Sequence, residues 1–373
     1  MLFIFYIFGL LICLYIVLIL LFTIGFDKLK PITNNHDYTT PFSVIIPFRN
    51  EAENLPDLLN SIAEIEYHKS LYEIILVDDE STDNSLEIIN QFCVNNPTID
   101  LKTIKNLRQS NSPKKDAIST AISSAKHNWI LATDADCILP KTWLSSFSAS
   151  ICENNPNMLV APVGFKSNSS FLHQFQLIDF LSMQGATIGG FGIQQPFMAN
   201  GANLAYKKEL FLKLNGFKDN DFIASGDDVF LLENFVAHDK SKVLFLKDIK
   251  ALVTTYPTKN WSELVQQRKR WAAKATHFKS NFAKGIGVIV FFTNIGIGVV
   301  IIIGIISPVF LLLIVPKFAI DTFLIFKTAH LYQNRINSLS FLKTLLFYPF
   351  FTVYIAVSSL LSPFVWKDRL FNK

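Results

Sequence analysis

Asp134-Ala135-Asp136 closes the apolar run Trp129-Ile130-Leu131-Ala132-Thr133. Two carboxylates at a strand end can hold a divalent cation against a diphosphate. Four other polar groups of residues stand in order along the chain: Val77-Asp78-Asp79-Glu80-Ser81, Lys114-Lys115, Gly226-Asp227-Asp228 and Gln267-Arg268-Lys269-Arg270-Trp271. Adjacent carboxylates repel at neutral pH, so Asp78 with Asp79, and Asp134 with Asp136, need a cation, hydrogen-bond donors or a shifted pKa to coexist. Mg2+ or Mn2+ supplies that cation, because hard ions accept one or two carboxylates completed by substrate phosphates. An isolated Asp-x-Asp is more often turn chemistry. Its place in this ordered set reverses that preference.

Asp227-Asp228 precedes the apolar run Val229-Phe230-Leu231-Leu232, as a helix start would, so N-capping and dipole compensation are its plain structural roles. The same carboxylates could take a proton from an attacking hydroxyl. Asp228 is the expected base, and Asp227 beside it would raise its pKa by like-charge proximity. Gln267, Arg270 and Trp271 fall on a predicted helix from about Asn260, with Glu263 three residues on as a capping box. Arg can fork onto a diphosphate, and an indole can stack on the apolar face of a ring. Lys114 and Lys115 offer point charges to phosphate or carboxylate, with a solvated surface as the equal alternative.

The elements that must position these groups alternate. Phe42 to Phe48 is a buried-strand pattern, followed by helical spacing through Leu55, Leu58, Leu59 and Ile62. Tyr72 to Val77 is a second strand, and Trp129 to Thr133 a third after a helix through Ala117, Ile118, Ala121 and Ile122. Such alternation predicts a parallel α/β sheet with both acidic motifs at strand carboxyl ends, where open sheets bind ligands. Asn200 to Tyr206, between the Gly-rich stretch Gly185 to Gly192 and a helix near Lys207, reads as a loop or short strand close to the site. Phe171, Phe175, Ile178 and Leu181 recur at helical spacing and read as a helix packed on the core.

Composition adds a membrane. Half of the 373 residues are hydrophobic and 35 are Phe, too apolar for an ordinary soluble chain. Leu2 to Phe26 carries no charge and is long enough to span a bilayer. A cleaved signal peptide would need a charged amino end, a shorter apolar core and a small-residue cleavage site, so an anchor is expected. Asp27, Lys28 and Lys30 follow it, and the positive-inside rule then places the next domain in the cytoplasm. Pro31 to Thr40 reads as a polar linker. Further on, Ile286 to Ile306 and Phe341 to Leu361 read as spans, and Pro308 to Phe326 as a span or an interfacial helix. Three such spans would put Lys367, Arg369 and Lys373 outside, and two would return them to the cytoplasm. Cys13, Cys93, Cys137 and Cys152 have neither metal-ligand spacing nor a disulfide pattern. The net charge of +4 is small, and the basic residues gather between Arg268 and Lys284, so nucleic acid is not an expected partner.

Taken together the motifs resemble the inverting glycosyltransferase family 2 in its membrane-embedded branch, with cellulose, hyaluronan and poly-N-acetylglucosamine synthases and ceramide glucosyltransferase. The resemblance covers Phe42 to Trp271. It implies an α/β fold: a Rossmann-like GT-A (nucleotide-diphospho-sugar transferase) domain with one amino-terminal and two to three carboxyl-terminal transmembrane helices. It also implies a donor pocket from Pro47, Asn50, Glu51, Asp78, Asp79, Lys114 and Asp134, with Asp134 and Asp136 as the metal pair. Asn200, Gly201 and Asn203 would serve the acceptor and diphosphate, as would Gln267, Arg270 and Trp271 of the QxxRW signature. Asp228 matches the base, with Asp227 as its partner. Glu80 stands where a Gly is frequent, Phe48 where Tyr is common, and Pro113 where a Gly often precedes the Lys, departures that bear on loop shape more than on activity.

The expected organisation is an anchor at residues 1–26, a cytoplasmic catalytic domain at 41–259, a basic interfacial helix at 260–285 and membrane segments at 286–364. The expected activity is transfer of a hexose or N-acetylhexosamine from a nucleotide-sugar donor, UDP-linked before GDP-linked, to a lipid or growing glycan at a bacterial inner membrane. A polyprenyl-phosphate acceptor is an alternative. A non-catalytic scaffold of the same fold and a nucleotidyltransferase are rivals; the second would leave QxxRW without a role.

Overall fold

The computed structural model describes residues 2–31, 39–166, 168–221, 223, 225–367 and 369–371. Most of the sequence's linker, residues 32–38, and Lys373 lie outside them. In chain order the elements begin with α1 (Leu2–Lys28), β1 (Phe42–Phe48), α2 (Leu55–Ala63), β2 (Tyr72–Asp78), α3 (Ser85–Asn95) and β3 (Leu101–Lys105). There follow α4 (Pro113–Ser124), β4 (Trp129–Ala132), β5 (Cys137–Ile138), α5 (Trp143–Asn154), β6 (Met158–Val160), β7 (Val163–Phe165) and α6 (Phe171–Gly192). Next come β8 (Leu204–Lys207), α7 (Lys208–Lys213), α8 (Asp227–Asp239), β9 (Val243–Phe245) and β10 (Val253–Thr255). The chain ends with α9 (Trp261–Ala273), α10 (Asn281–Ile306), α11 (Ile314–Leu331), α12 (Ser338–Leu361) and the hairpin β11 (Phe364–Trp366) and β12 (Arg369–Phe371). These elements form two compact units: residues 30–166 with 198–256, and residues 1–29 with 167–197 and 257–373.

The first of these is a sheet unit. Its main sheet runs β3-β2-β1-β4-β8-β6-β9, with a smaller sheet β5-β10-β7. β1 pairs in parallel with β2 and β4, and β2 with β3. Val44, Ile45, Ile46 and Ile74 to Val77 are fully buried, because a strand covered on both faces reads as a continuous apolar run. α2 and α4 cover the sheet with the apolar positions that the spacing predicts. The run of parallel pairs breaks at β8, which lies antiparallel to both β4 and β6, and resumes between β6 and β9. No helix of this unit separates the loop before β8 from the strand, so nothing carries the chain back to a parallel start.

The helical unit gathers α1, α6 and α9 to α12. Among the described residues, four of its helical segments are long and apolar enough to cross a membrane: Tyr6–Lys28, Asn281–Ile306, Pro308–Leu331 and Ser338–Leu361. The middle carboxyl-terminal segment thus has spanning length. α1 and α10 run antiparallel, with Phe22 edge-on to Phe282 at one end and Phe8 against Gly296 at the other. The Gly-rich stretch forms the last half of α6, and the segment after it holds the short strand β8. A Cβ on Gly192 would lie 1.8 Å from the Gly25 carbonyl oxygen, and one on Gly25 2.1 Å from that of Gly189, so backbone meets backbone where α1 crosses α6. At its other end α6 sets Phe175 among Trp261, Phe347 and Phe351. The core on which this helix packs is therefore that of the helical unit.

Candidate active site

β2 and β4 end at their acids. Asp78 is the last residue of β2, and its Oδ1 accepts the Ser81 backbone N–H at 2.9 Å. Asp79 accepts from Asn106 Nδ2 at 2.7 Å and pairs with Arg108 Nη1 at 3.1 Å. Glu80 adopts φ 61°, a left-handed conformation that favours glycine, which is the physical meaning of the Gly often found there. Arg49 Nη1 donates to the Asp79 and Glu80 carbonyls and so holds this strained turn. Asn50 accepts the Thr82 N–H at 2.8 Å, and Glu51 accepts Asn54 Nδ2 at 2.7 Å. Pro47 lies on β1 opposite Val77. Pro47, Asn50, Glu51, Asp78 and Asp79 thus share one rim of the sheet.

Lys114 joins the next two motifs. Its ammonium lies 2.7 Å from Asp134 Oδ1 and 3.1 Å from Asp227 Oδ2. Burial works against the charged form, yet Asp134 and Asp227, with Asp228 behind them, outweigh it and hold the Lys114 pKa above the usual lysine value. A Cβ on Gly201 would stand 2.8 Å from Asp227 Oδ2 and 3.3 Å from Lys114 Nζ, so only a glycine lets the backbone pass this close. Asp227 and Asp228 form the first turn of α8, where two carboxylates face the positive end of the helix. Asp228 Oδ1 accepts the Val229 N–H at 2.7 Å.

Asp134 and Asp136 bracket the turn between β4 and β5. Two hard oxygen donors on one turn suit Mg2+ or Mn2+ with substrate phosphates completing the shell. Among the described residues no group of three or more His, Cys, Asp or Glu could hold a metal by itself. Cys137 adjoins the pair, and burial, then Asp136 and Asp134, push its thiol well above the usual range.

Some residues do other work than the sequence implies. Lys115 is buried and donates to the Asn220 and Ile223 carbonyls at 2.6 and 2.9 Å, so neither lysine of the pair forms a solvated face. Asn203 is fully buried: its amide donates to the Pro162 and Ala251 carbonyls and its oxygen accepts Trp143 Nε1. It ties the two sheets together. Asn200 caps its own turn by accepting the Ala202 N–H. Sequence reasoning missed Arg49, Asn106 and Arg108, single residues whose spacing carries no signal. It also gave no separate role to Tyr206, whose buried hydroxyl has no hydrogen-bond partner and whose pKa is raised by burial, then by Asp227.

The signature residues stand on α9 in the helical unit. Asn260 caps the helix, accepting the Glu263 N–H at 3.0 Å. Glu263 reaches back to Asn260 Nδ2 and to the Lys259 backbone N–H. Gln267, Arg270 and Trp271 are all partly exposed.

The parallel half-sheet, its acidic strand ends and the mixed continuation through β8 define a GT-A fold. The structure of mannosyltransferase PcManGT from Pyrobaculum calidifontis, in complex with GDP-Man and Mn2+, superposes with a TM-score of 0.62 at 16% identity, covering 96% of this chain and 99% of that one. Residues 43–214 match the Glycosyl transferase family 2 model. It is 27% identical over 166 residues to poly-beta-1,6-N-acetyl-D-glucosamine synthase of Staphylococcus epidermidis, over 43% of this chain and 37% of that protein. It is 31% identical over 119 residues to poly(ribitol-phosphate) beta-N-acetylglucosaminyltransferase TarS of Staphylococcus aureus, over 32% of this chain and 20% of TarS. Glycosyltransferase AglE of Haloferax volcanii is 25% identical over 233 residues, which are 62% of this chain and 72% of that one. The chain therefore spans well under half the length of the first two relatives.

Proposed function

We propose that the protein is an inverting glycosyltransferase that moves a hexose or N-acetylhexosamine from a nucleotide-diphosphate sugar to a lipid or growing glycan at the cytoplasmic face of a membrane. The observation that carries this reading is Lys114: it gathers Asp134 of the strand-end pair and Asp227 of the helix-start pair into one cluster. UDP-linked donors are favoured over GDP-linked ones. Two of the relatives are named for N-acetylglucosamine polymers or transfer, and the GDP-Man complex keeps the second class open.

Asp228 takes the proton of the acceptor hydroxyl as its oxygen attacks the anomeric carbon; the bond from that carbon to the diphosphate oxygen breaks, and the nucleoside diphosphate leaves. Asp227 and Lys114 hold the base in place, and Asp78 and Asp79 face the nucleotide. Mg2+ or Mn2+ held by Asp134 and Asp136 would supply neutralisation of the departing diphosphate. The resemblance assigns Trp271 to the acceptor sugar, and Gln267 and Arg270 to the diphosphate. Asp27, Lys28 and Lys30 after the first span favour an outward amino terminus and a cytoplasmic domain.

The test is nucleoside diphosphate release by the detergent-solubilised full chain across a panel of UDP- and GDP-sugars with lipid extract as acceptor. Metal-dependent release from one donor supports the reading. Pyrophosphate release points instead to a nucleotidyltransferase, and no release from any donor to a scaffold.

A further inference from the structure

The two unnamed positions of Gln267-x-x-Arg270-Trp271 are Arg268 and Lys269, and both are buried, at 6% exposure each, although they are the most hydrophilic kinds of side chain. Arg268 Nε donates to Asp179 Oδ2 of α6 at 2.7 Å. Its Nη1 donates to Gln267 Oε1, and its guanidinium carbon lies 4.2 Å from the Trp271 ring centre. One side chain thus touches two of the three signature residues and is itself fixed from a second helix. Phe180, next to Asp179, meets the same indole with ring centres 6.3 Å apart. Lys269 points to the far side of α9, about 200° around the helix from Gln267. There it donates to Ser362 Oγ at 2.6 Å and to the Pro363 carbonyl at 3.0 Å.

A buried ion pair is weak evidence for stability, because desolvating both charges offsets most of their attraction. Leucine at 179 and 268 would pack the same helices. What an apolar pair could not do is donate to Gln267 and set a guanidinium over the Trp271 ring at once. Arg268 also keeps a buried Nη2 with no partner, a cost that packing alone would remove.

We propose that Arg268, locked by Asp179, is the positioning residue of the signature: it sets the rotamers of Gln267 and Trp271, while Lys269, about 100° further round α9, fixes the rotation of the helix at a second point. This rests on the transferase reading for its catalytic consequence, though not for the geometry itself.

The experiment uses the full chain in detergent with Arg268→Gln, Trp271→Ala, their double variant and Asp179→Asn. Nucleoside diphosphate release is read as kcat and KM, and donor binding is measured separately. Arg268→Gln is expected to lower kcat by up to about 100-fold. Its donor KM should stay within about twofold of wild type. The double variant should be no worse than the poorer single, and Asp179→Asn should fall between. Additive losses, or wild-type kcat in Arg268→Gln, overturn the proposal. Should Arg268→Gln fail to fold, Arg268→Lys decides: it keeps the charge facing Asp179 but loses the guanidinium over the ring, and wild-type kcat in it is equally fatal. If no donor is turned over at all, the transferase reading fails separately. The fluorescence attributable to Trp271, wild type minus Trp271→Phe, must then still shift in Arg268→Gln and Asp179→Asn, and an unchanged spectrum overturns the positioning role.

Discussion

The sheet unit and the helical unit both use buried or half-buried charge, but in different proportions. In the sheet unit one ammonium, Lys114, serves Asp134 and Asp227 and feels Asp228 as well. Among the described residues of the helical unit, two buried pairs stand out, Arg268 with Asp179 and Lys317 with Asp321, each at 2.7 Å. Under the proposed function, the shared lysine links the strand-end acids to the helix-start acids where a substrate or ion would meet them. A closed pair is a fastener. The same residue types therefore separate into chemistry and assembly by stoichiometry, and substitutions in the two units should fail in different measurements.

Asp228→Asn gives the largest expected effect. Removing a general base costs about 10²- to 10⁴-fold in turnover. The side chain is nearly isosteric, so thermal stability and donor binding should stay near wild type. A variant that lost stability in step with turnover would put Asp228 among the fasteners and erase the contrast.

Next comes the strand-end pair. Asp134→Asn, and separately chelation of the wild type, should each lower turnover by about 10- to 100-fold. Restoring Mg2+ or Mn2+ should rescue the chelated wild type fully and the variant only in part. Turnover that is indifferent to chelation would leave Lys114 as the cation the two motifs share and remove the metal from the proposal.

Where the sequence spoke clearly, one physical signal was at work. β1 and β2 were legible because burial on both faces writes an unbroken apolar run, and Asp78, Asp134 and Asp136 followed from being at the ends of such runs. The start of α8 was legible because carboxylates gather where a helix begins. The antiparallel entry of β8 was not, since four residues carry no direction in their pattern. Nor was the fate of Lys115 or Asn203, because nothing local distinguishes a solvated polar side chain from one whose partners lie 105 or 48 residues away. Nor was the crossing of α1 and α6 at Gly25, Gly189 and Gly192, because a small residue does not name the helix it lets approach.

The fasteners should answer to stability alone. Tyr15 donates to Asp321 Oδ1 at 2.7 Å while Lys317 holds Oδ2, so this pair ties α11 to α1. Asp321→Asn leaves the buried Lys317 charge uncompensated and should cost about 3 kcal/mol or more. Activity per folded molecule should be unchanged. Loss of turnover without loss of stability would move the pair into the working part of the molecule.

The smallest expected effect is an absence of pH dependence, and it follows from the sign of the Lys114 shift. Its folded pKa lies above the unfolded value of about 10.4. The stability gained from the bound proton is therefore fully present below that unfolded value, and it declines only as the pH rises through the higher folded one. Between about pH 7 and about pH 10 the melting temperature of wild type minus that of Lys114→Gln should hold constant, because both states of the wild-type lysine remain charged throughout. A difference that rose over this window would mean a folded pKa below the unfolded one, with burial outweighing Asp134 and Asp227. Lys114 would then give up its proton inside the fold, and the cluster would no longer be one charged base shared between two acidic motifs.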